Sequence, residues 1–270
     1  MIGLMSPSFA AAVAGRAEAR PDDEVVRLAG EPGWTAAALW ERSRAIAGGL
    51  ARLVGVEDAV ATCLPAGPEA IAVTTALSAL GAVELPLSSD VDGRWARTLA
   101  HSAGCVTTVT TGDLLRDAPF LGELAHSAGC ATASDLPHDA PFPGAPGRSA
   151  GCATTRGLPR DSPGPDTTTP VVVVGGTGVV CLDELVAAGR PVGMRRVGPG
   201  DPALVMTTSG TTGRVKGALL PVAAGPGQTA RVQRAMRYSP ADVLYNFFPG
   251  TTSTPGTPRS CPPSSPAPGW

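Results

Sequence analysis

Thr207-Thr208-Ser209-Gly210-Thr211-Thr212-Gly213-Arg214-Val215-Lys216-Gly217 packs five hydroxyls, three glycines and two cations into eleven residues. The apolar run Ala203-Leu204-Val205-Met206 stands directly before it. Glycine lets the backbone adopt positive φ and approach a ligand closely. Successive N–H groups in such turns form a concavity for anions, to which hydroxyls add donors. Lys216 supplies a point charge suited to phosphate oxygens. The pattern predicts a strand-end loop built to hold polyphosphate, against the plainer alternative of a solvated Ser/Thr/Gly turn. It is not a Walker A loop, which needs four residues between its glycines and then Lys-Ser/Thr.

The string resembles the phosphate loop of the AMP-forming adenylating enzymes, a family that includes acyl-CoA synthetases, luciferases and peptide-synthetase adenylation domains. The signature of that family is Thr-Ser-Gly-Thr-Thr-Gly-x-Pro-Lys-Gly, and Val215 stands where proline is commonest. Flanking sequence extends the likeness. It includes Pro21 to Leu28 with Gly33-Trp34-Thr35, Val60 to Pro65 with Glu69, and Leu80-Gly81-Ala82-Val83 with Leu85-Pro86-Leu87. Leu182-Asp183-Glu184-Leu185 and Asp242 to Pro249 also have counterparts.

The resemblance implies an α/β fold, made of parallel-sheet β-α-β units of the N-terminal domain of an adenylate-forming enzyme. It implies ATP-dependent carboxylate adenylation followed by transfer to coenzyme A or another thiol, with ATP and Mg2+ as cofactors and a carboxylic acid as substrate. Carried over by position, Thr208, Ser209, Gly210, Thr211, Thr212 and Gly213 would wrap the β- and γ-phosphates, and Lys216 would hold the loop or the phosphates. The sequence shows no Thr-Glu pair for magnesium after the loop, no later Ser/Thr-Gly-Asp for the ribose and no second catalytic lysine. Thr111-Gly112-Asp113 spells the ribose motif but precedes the loop. No residue is therefore assigned a catalytic or metal-binding role. The chain reads as the front portion of an acyl-CoA synthetase or ligase, expected to be inactive alone. The alternative is a non-catalytic phosphate-binding or interaction protein.

Local patterns outline the elements. Ser6 or Ser8 starts an amphipathic helix, and Thr35 caps another that carries Leu39, Ser43, Ile46, Leu50 and Leu53 on one face. Strands are expected at Ala59–Leu64, Ala82–Leu87, Cys105–Val109, Val171–Val174, Ala203–Thr207, Gly217–Pro221 and Val243–Phe248. Helices are expected from Pro68 to Leu80, after Asp92, over Leu182–Ala188 and near Gln228–Met236. The alternation of strand and helix predicts parallel pairing.

Two stretches break the pattern. His101-Ser102-Ala103-Gly104-Cys105 recurs as His126-Ser127-Ala128-Gly129-Cys130 and as Arg148-Ser149-Ala150-Gly151-Cys152. Proline accumulates in the later copies, and none offers the buried apolar face a solenoid needs. The tail from Gly250 is Pro/Ser/Thr/Gly-rich and too poor in apolar residues to offset its ordering entropy. The expected organisation is a first α/β portion over 1–121, a flexible repeat insert over 122–169, a second α/β portion with the phosphate loop over 170–249, and a disordered tail over 250–270.

Composition bounds the partners. Hydrophobic residues make up 43% of the 270, and a net charge of −2 offers no case for nucleic acid or an anionic membrane. The start lacks a basic n-region, and no apolar run approaches the ~20 residues of a membrane span. The six cysteines then read as reduced thiols of a cytoplasmic protein. Two rival motifs are weaker. Gly176-Thr177-Gly178-Val179-Val180-Cys181 partly mimics a dinucleotide fingerprint, with Cys181 in the third glycine's place. The His-x-x-x-Cys spacing at His101/Cys105 and His126/Cys130 could put two zinc ligands on one helical face, with Cys152 as a third.

Overall fold

A computed structural model describes residues 8–118, 120–121, 171–174, 180–190, 192–209, 215–239 and 242–244. The chain opens with helix α1 (Phe9–Ala19), whose N-cap Ser8 accepts a hydrogen bond from Ala11 N–H. A short antiparallel hairpin follows, β1 (Glu24–Val26) with β2 (Trp34–Thr35). Thr35 then caps α2 (Ala36–Leu50), its hydroxyl accepting from Ala38 N–H. Leu39, Ser43, Ile46, Leu50 and Leu53 are all buried, as their spacing predicts.

The central alternation comprises β3 (Ala59–Cys63), α3 (Pro68–Leu80), β4 (Val83–Pro86), α4 (Gly93–Ala103) and β5 (Cys105–Thr111). Pro68 starts α3 and Gly81, at φ +71°, ends it in the left-handed conformation that glycine adopts without strain. Asp92 caps α4 by accepting from the backbone N–H groups of Arg94 and Trp95. A short helix, α5 (Gly112–Asp117), then leaves β5 directly. The second stretch supplies β6 (Val171–Val174), β7 (Val180–Cys181), α6 (Leu182–Ala188), β8 (Pro202–Ser209), β9 (Val215–Pro221) and α7 (Ala224–Met236).

Seven strands form one sheet in the order β7-β6-β5-β3-β4-β8-β9. All neighbouring pairs are parallel except β8–β9, which is an antiparallel hairpin. The expected parallel α/β fold is therefore present, and the glycine- and hydroxyl-rich stretch joins the two strands of its one antiparallel pair. Only five residues lie between β8 and β9, too few for the crossover that a parallel pair needs.

Each face of the sheet carries its own core. Helices α2, α3 and α6 cover one face, burying Ile46, Leu50, Val73, Leu77, Leu182 and Leu185 against Val60, Val109 and Val172. Helix α4, with Phe120 and Leu121, covers the other, over Ala61, Leu85 and Val205. Each such side chain contributes roughly 1.5–3 kcal/mol by leaving water. The four-valine strand β6 is buried at Val171, Val172 and Val173, as a strand covered on both faces requires. Arg42 of α2 ties the layer together, donating to Glu69 of α3 at 2.6 Å and to Asp183 of α6 at 2.9 Å. Those two carboxylates hold its guanidinium above its ordinary pKa.

Several sequence expectations need amendment. Helix α5 and strand β7 were not anticipated. Asp242, Val243 and Leu244 lie in no strand, and the rest of the expected strand to Phe248 is outside the described residues. The later repeat copies and the tail are outside them too. His101 and Cys105 do not share a helical face. Helix α4 stops at Ala103, so His101 is exposed on its last turn while Cys105 is buried at the start of β5.

Burial also sets thiol reactivity. Desolvation pushes the Cys63 thiol up to about 11, with a further push from Asp90, and the Cys105 thiol up to about 12. Only the thiolate is nucleophilic. Iodoacetamide at neutral pH is therefore expected to alkylate both at least roughly a hundredfold more slowly than an ordinary cysteine of pKa about 8.5. Peptide mass spectrometry on native and denatured chain checks this. Equal labelling of Cys63 and Cys105 in the two forms would contradict it.

Candidate functional site

The β8–β9 hairpin carries the glycine- and hydroxyl-rich stretch. Strand β8 is parallel to β4, so its C-terminal end lies at the carboxyl edge of the parallel strands. Open α/β sheets bind ligands outside that edge. The antiparallel register pairs Thr207 with Gly217, Thr208 with Lys216 and Ser209 with Val215. Thr208 and Lys216, separated by seven residues in sequence, are thus brought opposite each other at the hairpin's neck. Gly210, Thr211, Thr212, Gly213 and Arg214, which join the two strands, lie outside the described residues, as do the side chains of Thr208, Ser209 and Lys216.

Gly217 has a packing reason of its own. A Cβ there would lie 2.9 Å from Val205 Cγ1, closer than real contacts allow. The absence of a side chain lets β9 lie flat on β8 where the two strands leave the loop.

The hairpin sits in a cationic stretch that whole-chain composition hides. Residues 190–239 contain Arg190, Arg195, Arg196, Arg214, Lys216, Arg231, Arg234 and Arg237 against the single acid Asp201. The chain as a whole carries −2, so the remainder is strongly acidic by comparison. A window of fifty residues would have shown this asymmetry, which a whole-chain sum averages away. Asp201 itself is engaged, accepting from Gly198 N–H at 2.6 Å in the turn that feeds β8. Lys216 is also the one lysine in the sequence.

The register gives two strand ends that converge on a short connection, with Lys216 across the neck from Thr208. Among the described residues no three His, Cys, Asp or Glu side chains stand together. The His-x-x-x-Cys zinc reading gains no support from this part of the chain either.

Thr111-Gly112-Asp113 and the described end of the dinucleotide-like stretch serve local structure. Thr111 caps α5 by accepting from Leu114 N–H, and Asp113 pairs with Arg116 on the same helix. These are the residues that spell the ribose motif, and helix capping accounts for them. In the glycine pair near 176, Val180 and Cys181 are extended in β7. The third glycine's place therefore falls in a strand, where a dinucleotide fold needs the first turn of a helix. Residues 175–179 lie outside the described residues.

This architecture, a mainly parallel sheet with a glycine- and hydroxyl-rich hairpin at its carboxyl edge, has known relatives. The chain belongs to the AMP-binding enzyme family, whose model matches residues 13–250. Solved structures share the fold. A protein described as a long-chain-fatty-acid CoA ligase from Rhodopseudomonas palustris CGA009 gives a TM-score of 0.64 at 18% identity, over 90% of this chain and 51% of its own. A long-chain-fatty-acid-CoA ligase (FadD1) from Archaeoglobus fulgidus gives 0.64 at 19% identity, over 88% of this chain and 41% of its own. The anthranilate CoA ligase AuaEII, in complex with anthranoyl-AMP, gives 0.61 at 13% identity, over 83% and 36%. This chain therefore spans about half the length, or less, of the solved structures it matches. No curated protein matches it by sequence. No helix among the described residues is long and apolar enough to cross a membrane.

Proposed function

We propose that the Thr207–Gly217 hairpin binds the polyphosphate end of ATP, and that the chain is the phosphate-binding part of an acyl-CoA synthetase or related acid–thiol ligase. Support comes from one observation above the others. The register sets Thr208 across from Lys216 at the carboxyl end of β8, in a chain whose family membership is independent of that geometry. Thr208, Ser209, Gly210, Thr211, Thr212 and Gly213 supply amides and hydroxyls for the β- and γ-phosphate oxygens, and Lys216 supplies the charge. In carboxylate adenylation the acid attacks the α-phosphate and pyrophosphate departs. The hairpin's part is to orient that leaving group and to neutralise the charge it gathers. ATP and Mg2+ as cofactors, a carboxylic acid as substrate and coenzyme A or another thiol as acceptor belong to this proposal. So does the expectation that the chain alone does not turn over.

The lone lysine gives a direct test. An amine-selective acylating reagent has Lys216 and the α-amino group as its targets. Saturating ATP is expected to suppress modification of Lys216 severalfold and leave the α-amino group unchanged, read by peptide mass spectrometry. Equal labelling with and without ATP would remove the hairpin from nucleotide binding. Pyrophosphate exchange with a panel of carboxylic acids is expected to stay at background. Protection by inorganic pyrophosphate with none by ATP would favour the non-catalytic phosphate-binding alternative, and exchange above background would overturn the expectation that the chain alone is inactive.

A further inference from the structure

Helix α7 packs along β9, yet none of its 13 residues is buried. Its ends are weakly held. Ala223 stands at the N-cap with no side-chain hydrogen bond, and Gly225-Pro226-Gly227 fills most of the first turn. Arg237 closes the helix at φ +54°, a region where glycine is the unstrained choice. A helix of this length is marginal in water and is normally fixed by burying one face. Among the described residues α7 has no such burial.

Its charges are equally unattached. Residues 224–239 hold Arg231, Arg234 and Arg237 and no acid. Arg231 donates to Gln228 of its own helix at 3.2 Å, and none of the three pairs with an acid among the described residues. Earlier in the chain Arg16, Arg27, Arg42 and Arg116 each hold a carboxylate. Asp242, the first acid beyond α7, is engaged in the following turn, accepting from Ser239 N–H at 2.6 Å. Thr229, Val232 and Gln233, at i, i+3 and i+4, line one groove with Arg16 of α1 and Leu244. The arginines, spaced three apart, form a stripe of their own. At the same end of the helix three aliphatic side chains stand in solvent: Met236 is 43% exposed, Leu244 58% and Val243 91%.

We propose that α7, together with Val243 and Leu244, is a docking surface for an anionic lipid bilayer, with Arg231, Arg234 and Arg237 among the headgroups and the aliphatic side chains in the boundary beneath them. Nucleic acid would satisfy the arginines and leave the aliphatic tips in water, whereas an anionic bilayer takes both. Contact with the bilayer also gives a marginal helix the buried face it lacks. The whole-chain charge of −2, which offers no case for an anionic membrane, conceals this stretch because the acids lie elsewhere in the sequence. Each basic residue beside an anionic leaflet contributes roughly fivefold in affinity. Docking does not depend on what the hairpin binds, so its test contains no nucleotide.

The full chain is mixed with vesicles of phosphatidylcholine alone, or of equal parts phosphatidylcholine and phosphatidylglycerol, and binding is read by co-sedimentation. Binding to the anionic vesicles alone is expected, and it should fall as salt is raised. Arg231→Gln with Arg234→Gln is expected to weaken it by about twenty- to thirtyfold. Arg44→Gln with Arg94→Gln removes the same charge from exposed positions elsewhere and should leave binding nearly unchanged. Val243→Ser with Leu244→Ser should weaken it severalfold. Hydrogen–deuterium exchange of peptides covering 224–237 is expected to slow severalfold on anionic vesicles, while peptides of β3 and β5 stay as they are. Equal binding to both kinds of vesicle, equal loss from the two arginine pairs, or unchanged exchange in α7 overturns the proposal. Full binding by the double serine variant, with equal protection of α7 by poly-aspartate, would assign the arginines to an acidic protein and overturn it as well.

Discussion

Gly49→Val is expected to lower stability by about 3 kcal/mol, the upper end of the usual cost of overpacking. Gly49 lies in the last turn of α2, where α6 crosses it at backbone distance. A Cβ at Gly49 would stand 2.8 Å from the carbonyl carbon of Leu185 and 2.9 Å from Val186 N. The relation is mutual, since a Cβ at Gly189 would stand 2.7 Å from the carbonyl carbon of Gly48. These obstacles are main-chain atoms, so no rotamer change relieves them. The helices must separate, and Leu182 and Leu185, both fully buried, go with α6. Arg42 would lose its Asp183 partner as well, a minor loss because that carboxylate is largely exposed.

In a chain of this size about 1 kcal/mol moves the melting temperature by roughly 2–4 °C, so a fall of about 6–12 °C is expected in a thermal melt. Gly15→Ala provides the control. It sits in α1 with nothing within 4 Å of the added Cβ, and helix propensity predicts a small gain of about 0.5–1 kcal/mol. Valine at position 49 melting within a degree of wild type would show that α6 does not pack as described. The point matters for function because α6 belongs to the stretch after the repeats. Its seat on α2, together with β6 on β5, joins the later part of the chain to the earlier one in a single sheet.

Signals confined to a few neighbouring residues were legible in the sequence. Helix α3 begins at Pro68 and ends before Gly81 because the two residues act on their own dihedrals, whatever surrounds them. Ser8, Thr35 and Asp92 cap their helices for the same reason. Pairing was less legible. Strand β7 is two residues long and exists through pairing with β6, a contact that leaves no periodicity to find. Cys105 was misplaced as a helical ligand candidate because His-x-x-x-Cys suits one helix face, while Gly104, at φ +67°, ends the helix between them. The phosphate loop is legible as a string, since its residue types carry the chemistry. The pairing of Thr208 with Lys216 needed the hairpin. The burial of Glu84 on β4 gave no sequence signal, because nothing local to a lone acid between Val83 and Leu85 reports it.

Lys216→Ala is expected to weaken ATP binding by about ten- to hundredfold. A hydrogen bond to a charged group contributes about 1.5–3 kcal/mol, and every 1.4 kcal/mol is tenfold in Kd. The loss should be near its upper bound here because the chain has no second lysine to substitute. The arginines of residues 190–239 soften it only through a screened, long-range field. That division predicts a second result. Raising the salt concentration should weaken ATP binding in both proteins, but with a shallower slope in the variant, which has lost the closest charge. Lys216→Arg should recover part of the affinity, since charge is kept while the compact ammonium is replaced by a larger planar fork. Isothermal titration of the three proteins with ATP, and with pyrophosphate as the smaller probe, measures all of this. Unchanged affinity in the alanine variant would mean that Lys216 serves the hairpin's structure alone. In that case the same variant should melt lower with no change in Kd, an outcome that separates a phosphate ligand from a residue that closes the neck between β8 and β9.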